Sequence, residues 1–281
     1  MSRPQRWLVA PEPRPGARVR LVCFPHAGGG SAAFHAWARC APAHVEVWAA
    51  QLPGREMRFR EPPVARLPDL ADALAAALDA LPGDGGRAPV LYGHSMGALL
   101  AFEVARGLRR VGRAAPAGLL LAGSAPPEPP GPQSVSSDDS RHDAPDEPSR
   151  HSSHGPPSGA LHRLPEPEFL RAVRSLGGFP PGLLDDVRIR DHVLPMMRAD
   201  LAAVETYRCR PEPPFDVPVT VFYGTEDTIA PGAAVRRWAR HTTGPFRAVA
   251  WPGGHFHPLT HRDRFLTLLL PELATVTGMT A

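Results

Sequence analysis

Apolar positions along the chain follow two periods, and the period switches at turn signals. Arg18–Pro25 (RVRLVCFP) alternates and then runs apolar, as a buried strand does. It opens into a glycine-rich turn, His26-Ala27-Gly28-Gly29-Gly30. From Ser31 the segment SAAFHAWARC reads as a helix with Phe34 and Trp37 on one face. Val45–Gln51 is a second strand, ending in Leu52-Pro53-Gly54-Arg55. Leu67–Leu81 is an Ala/Leu-rich amphipathic helix with Asp69, Asp72 and Asp79 on its polar side. Pro89–Tyr92 predicts a short strand; Gly93-His94-Ser95-Met96-Gly97 follows, then a helix through Arg110. Ala117–Ala122 is another buried strand. Strand and helix in regular alternation predict an α/β fold, with a mostly parallel central sheet and helices on both faces.

The alternation then stops. Pro126–Ala160 holds one branched aliphatic residue, Val135, and no aromatic. Such a segment cannot bury enough apolar surface to offset its ordering entropy, so a disordered low-complexity insertion is predicted there. Its histidines, His142, His151 and His154, read as solvated filler rather than a metal tract. Helix returns at Pro167–Leu176 and across Gly182–Tyr207, where Pro195 is expected to kink or split it. Val217–Tyr223 is a strand with Gly224-Thr225-Glu226-Asp227 at its carboxyl end. A helix at Gly232–His241 and a strand at Phe246–Trp251 follow; Gly253-Gly254-His255 comes next, and a last helix starts near His261. The expected organisation is an α/β core from residues 1–125 and 211–281, the insertion at 126–160 and a helical lid at 161–210. No internal repeat is visible.

Composition narrows the functions. The 281 residues suit one large α/β domain or two small ones. The 26 glycines and 36 prolines exceed a fifth of the chain, close to double ordinary usage, in keeping with a linker-like stretch. There is no lysine, so all 31 basic residues are arginine. That excludes Schiff-base, pyridoxal-phosphate and P-loop lysines. There is no asparagine either, which excludes N-glycosylation; a GC-rich genome accounts for both omissions. A net charge of +3 is too small for a nucleic-acid binder on charge alone. No apolar run approaches the ~18 residues of a membrane span, and no signal peptide precedes the first prolines, so a cytoplasmic protein without a membrane partner is expected. Cys23, Cys40 and Cys209 form neither a disulfide framework nor a zinc site and are expected to be buried free thiols. No metal or other cofactor is called for.

GHSMG fits G-x-S-x-G in the context that motif needs, with a strand before and a helix after. Ser95 is thus the candidate nucleophile, the competing reading being an ordinary serine N-cap. A hydroxyl nucleophile needs a base, and the base an orienting acid. In this motif's chain order the acid follows the serine and the histidine comes last. Asp227 and His255 both lie just past strands, at the edge where open α/β sheets place ligands. Glu226 is the competing acid, and Asp216 precedes its strand. His257 and His261 rival His255, which the Gly253-Gly254 turn favours. An oxyanion needs two N–H donors: Met96, after the nucleophile, and one from HAGGG, with Ala27 first and Gly28 next.

Taken together, FPHAGGG, QLPGRE, LYGHSMGA, ADLAAVETYR, FYGTEDTIAP, HTTGPF and PGGHF resemble the stand-alone type II thioesterases of polyketide and nonribosomal peptide biosynthesis. The resemblance covers the chain outside 126–160. It implies an α/β-hydrolase fold with a helical lid and a Ser–His–Asp triad on Ser95, His255 and Asp227. It also implies hydrolysis of aberrant or stalled acyl groups from the phosphopantetheine arm of an acyl carrier protein or peptidyl carrier domain. The chain departs from the family's pattern in the polar insertion and in His257-Pro258, where members commonly carry apolar residues. A small-molecule esterase or lipase on the same scaffold, and a non-catalytic binding module, are the alternatives. A start so near the first strand points to a free-standing protein, expected to be a monomer. The partner surface is expected around Arg55, Arg58 and Arg60, whose guanidinium forks suit a phosphate. The competing reading is a solvated loop, or Arg55 paired internally with a carboxylate.

Overall fold

The structure is a computed structural model, and it describes residues 6–81, 88–127, 160–180 and 182–278. Fifteen α and β elements organise those residues. In chain order they are β1 (Leu8–Val9), β2 (Val19–Phe24), α1 (His35–Cys40), β3 (Val45–Ala50), α2 (Leu67–Asp79), β4 (Val90–His94), α3 (Met96–Arg110) and β5 (Gly118–Ala122). Then come α4 (Glu166–Leu176), α5 (Val187–Glu205), β6 (Val219–Gly224), α6 (Gly232–Val235), β7 (Phe246–Trp251), α7 (His257–Thr260) and α8 (Arg262–Thr277). Most of the insertion expected at 126–160 lies outside the described residues.

The seven strands form one sheet in the order β1-β3-β2-β4-β5-β6-β7. Every pairing is parallel except that of β1 with β3. The antiparallel β1 is two residues long, too short to show a period in the sequence. Strands β4 and β5 are buried at every position, as runs covered on both faces must be. One apolar core lies under α2 and α3, and the other under α1 and α8. In the second, Trp37 packs against Tyr92 and Phe265 with tilted rings, at ring distances of 4.8 and 5.8 Å.

Strand β2 lies between β3 and β4, so the chain winds one way from β2 and then returns to its other side. Such a switch opens a crevice at the carboxyl ends of the two central strands. The HAGGG turn leaves β2 there, and Ser95 leaves β4.

Helices α4 and α5 interrupt the alternation and share their own apolar cluster of Phe169, Val173, Leu184, Leu194 and Met197. Pro195 does not split α5, which runs unbroken from Val187 to Glu205. The ring and Asp191, whose carbonyl loses its helical donor to the proline, are both exposed, so water can satisfy that carbonyl. Asp186 caps this helix, accepting from the N–H groups of Arg188 and Ile189. Two further expectations need correction. The helix expected from Ser31 begins as a 3-10 turn, Ser31–Phe34, before α1. Cys40, at the end of α1, is exposed, whereas Cys23 and Cys209 are buried.

Candidate active site

Ser95 sits between β4 and α3 with φ +56° and ψ −117°, a backbone region that residues with a Cβ seldom enter. Its N–H is held by the carbonyl of Ala122 on β5, at 2.8 Å. Glycines on either side make the sharp turn possible. A Cβ on Gly93 would overlap the carbonyl of Gly97, and one on Gly97 the carbonyl of Phe24. The turn leaves Ser95 half-buried at the start of α3.

His255 and Asp227 meet it there. His255 Nε2 lies 3.0 Å from Ser95 Oγ, and His255 Nδ1 lies 2.8 Å from Asp227 Oδ2. Burial raises the pKa of Asp227, but the His255 hydrogen bond and the Ala230 and Ile229 N–H groups outweigh it and hold the carboxyl below its usual range. An ionised carboxylate only accepts, so His255 Nδ1 carries the proton and Nε2 is left bare toward the serine hydroxyl. Glu226, the competing acid, is exposed. Of the rival histidines, His261 is exposed, while His257 is buried and turned to the Gly254 carbonyl at 3.0 Å. Burial lowers the pKa of His257 to about 4. Its ring stacks on Trp251 and meets Phe265 edge-on, so it packs as an aromatic.

The HAGGG segment forms a hydrogen-bonded turn, with the Gly29 N–H on the His26 carbonyl at 2.9 Å. Gly28 has φ +81° and Ala27 does not have a positive φ, which makes this a type II turn with glycine at its third position. The N–H of Gly28 is taken by Asp200 Oδ2 at 2.8 Å. Among the described residues no acceptor takes the N–H of Ala27 or of Met96.

The three arginines divide. Arg55 is buried and donates from both terminal nitrogens to Asp200, each at 2.7 Å. Arg58 is also buried, donates to the Gln51 carbonyl and to Glu61, and covers the Trp7 ring at 4.0 Å. Neither fork is free for a phosphate, so both belong to the structure of the loop. Arg60 is exposed, beside Met57 and Phe59, which are 81% and 50% exposed.

Three residues with no role in the sequence argument converge on the same site. His94 Nε2 reaches the His255 carbonyl at 2.9 Å. Glu56 accepts from the N–H groups of Ser31 and Ala32, at 2.9 and 2.8 Å, and so caps the 3-10 turn after HAGGG. Asp200 holds Arg55 and Gly28 together. One signal pointed to Asp200: it lies three residues from both Met197 and Ala203, on a buried stripe of α5 where a lone charge is costly.

The whole arrangement is that of a serine hydrolase of the α/β type. The chain belongs to the thioesterase family: the model of the thioesterase domain matches residues 19–272. Over 277 residues it is 30% identical to the gramicidin S biosynthesis protein GrsT of Aneurinibacillus migulanus, covering 98% of this chain and 97% of that one. Among solved structures it is similar to RedJ, the thioesterase of the prodiginine pathway in Streptomyces coelicolor. The TM-score is 0.75 and the identity 37%, over 93% of this chain and 92% of that one. The type II thioesterase BorB of the borrelidin cluster gives a TM-score of 0.76 and 32% identity, over 95% and 97%. Among the described residues no helix is long and apolar enough to cross a membrane.

Proposed function

We propose that this enzyme hydrolyses acyl thioesters on the phosphopantetheine arm of an acyl carrier protein or peptidyl carrier domain, through an acyl-enzyme on Ser95. The relay of 3.0 and 2.8 Å from Ser95 through His255 to Asp227 carries the reading. As Ser95 Oγ attacks the thioester carbonyl, its proton passes to His255 Nε2. Asp227 stabilises the imidazolium that forms and fixes its tautomer. The N–H groups of Ala27 and Met96 receive the charge on the carbonyl oxygen, the second at the start of α3 where the helix dipole adds to it. Collapse of the tetrahedral adduct expels the arm's sulfur, which takes the proton from His255. Water, deprotonated by the same nitrogen, then releases the acid and restores Ser95. Residues 161–210 act as a lid over this crevice. The acyl groups removed are the mis-primed or stalled ones that block a synthetase, as the kinship with biosynthetic thioesterases suggests.

The test is to load a carrier protein with an acyl-phosphopantetheine and follow its mass. The native enzyme should release the acyl group, Ser95→Ala should release none, and Asp227→Asn should lose about 10⁴ in kcat through the wrong tautomer. Fast hydrolysis of simple oxygen esters with an untouched carrier would make the protein a small-ester esterase instead. No labelling of Ser95 by a fluorophosphonate would leave it a binding module.

A further inference from the structure

We infer that Asp200, on α5, is a positioning residue that sets the oxyanion turn, gripping the backbone of Gly28 while Arg55 holds its carboxylate in place. The inference rests on the acyl-enzyme reading of Ser95 but not on any carrier partner.

Asp200 is fully buried, and each of its oxygens is used. Oδ1 accepts from Arg55 Nη2, and Oδ2 accepts both from Arg55 Nη1 and from the Gly28 N–H. Arg55 Nη1 in turn donates to the Gly29 carbonyl at 2.8 Å. The ion pair thus holds a donor and an acceptor on consecutive residues of one turn. A pair serving stability alone needs no third partner. Here the third partner is the residue after the oxyanion donor Ala27.

The turn needs such a grip. In a type II turn the central peptide, here Ala27–Gly28, differs from its type I alternative mainly by a flip, and glycine at the third position opposes neither form strongly. With its N–H unpaired, the half-buried Gly28 peptide would rotate to find another acceptor. Asp200 removes that option. It also commits the Gly28 N–H away from the substrate, so Ala27 is the donor of this turn. Helix α5 closes on the turn at one more point, through Met197, and Phe179 from the loop after α4 joins it; both occupy the space a Gly28 side chain would need. The flip turns over the Ala27 carbonyl and the Gly28 N–H, and the strain it puts on the turn shifts the adjoining peptide that carries the Ala27 N–H; an oxyanion donor displaced by about 1 Å loses on the order of 100-fold in rate.

Asp200→Asn and Asp200→Ala separate positioning from stability. Both remove the charge opposite Arg55, but only asparagine leaves an oxygen for the Gly28 N–H. A third variant, Asp200→Ala with Arg55→Leu, removes the buried charge altogether, a change that buried ion pairs often tolerate, and it too lacks the acceptor. The readouts are kcat and KM on a p-nitrophenyl ester, which needs Ser95 and the oxyanion site but no carrier, the Tm, and hydrogen exchange of the 26–30 backbone. Asp200→Asn should stay within about five-fold of native kcat. Asp200→Ala and the double variant should each fall about 10- to 100-fold in kcat with KM within about three-fold, and exchange at 26–30 should speed up in these two alone. Equal kcat in Asn and Ala variants, native kcat in the double variant, or unchanged exchange would each overturn the assignment. If the carrier reading fails, ester turnover by the native enzyme still decides the question.

Discussion

His94 donates its Nε2 proton to the carbonyl oxygen of His255, 2.9 Å away, and so ties the residue before Ser95 to the backbone of the histidine that meets it. A carbonyl can only accept, so the proton sits on Nε2, and the buried Nδ1 is left without a partner among the described residues. Burial first, and then the neighbouring imidazoles His26 and His255, hold the His94 pKa well below the usual range. The ring is therefore neutral when His255 takes up the serine proton, and adds no repulsion to the imidazolium. His94→Leu should lower kcat about 10- to 100-fold with little change in KM, because the histidine loop loses its anchor. His94→Gln, which keeps an N–H donor, should recover part of the loss. Steady-state kinetics on an acyl-pantetheine thioester separates the two variants.

Ala27→Pro tests the oxyanion donor directly. Proline is favoured at the second position of a type II turn, so the change deletes one N–H and keeps the turn. The expected loss is about 10²- to 10³-fold in kcat, the usual worth of one oxyanion donor, with Tm near native. Native turnover would assign the donor elsewhere.

Arg60 and Arg58 should respond differently to charge reversal. Arg60→Glu should raise KM for an acyl carrier protein several-fold and weaken its salt dependence, leaving acyl-pantetheine hydrolysis unchanged. Arg58→Glu should instead lower Tm, by about 2–3 kcal/mol of stability, since it sets a second carboxylate beside Glu61 and uncovers Trp7. Its effect on the two substrates should be equal. Paired assays on both substrates with a melting curve for each variant decide the point.

Acid should unfold this protein through its histidines. Burial lowers the pKa of His26 to about 4, with repulsion from His255 and Arg55 adding to it, and burial lowers that of His257 to the same value. Unfolded, each titrates near 6.5. Between those values the unfolded chain binds more protons than the native one, so stability rises with pH and is lost as pH falls from 6.5 toward 4. The loss is complete below pH 4, at about 3 kcal/mol per group. Glu212 extends the loss downward: despite its burial, hydrogen bonds from Arg106 and Arg109 hold it near 2. Urea melts at a series of pH values should show the slope, and His257→Phe should flatten it between pH 6.5 and 4.

The residues of the proposed relay were legible in the sequence because each sits where a period ends. Ser95, Asp227 and His255 follow β4, β6 and β7, and glycines mark all three turns. The parallel sheet was legible for the same reason. Strand β1 was not, because two residues are too few to show a period. Arg55 and Arg58 looked like a cationic surface because the sequence shows charge but not its partners, which lie 145 residues away for one and three for the other. Asp200 and His94 act through groups that are remote in sequence, the Gly28 N–H and the His255 carbonyl, and no local pattern announces a bond to distant backbone.

The pairing of Arg55 with Asp200 bears on how such enzymes can be recombined. Residue 55 belongs to the sheet's loops and residue 200 to the interrupting helices, so exchanging the helical block with that of another thioesterase moves one half of a buried pair. A donor block lacking an acid at this place would strand a guanidinium only 6% exposed and free the Gly28 peptide at the same time. Chimeras that carry the acid should fold and turn over, and those that omit it should fold poorly.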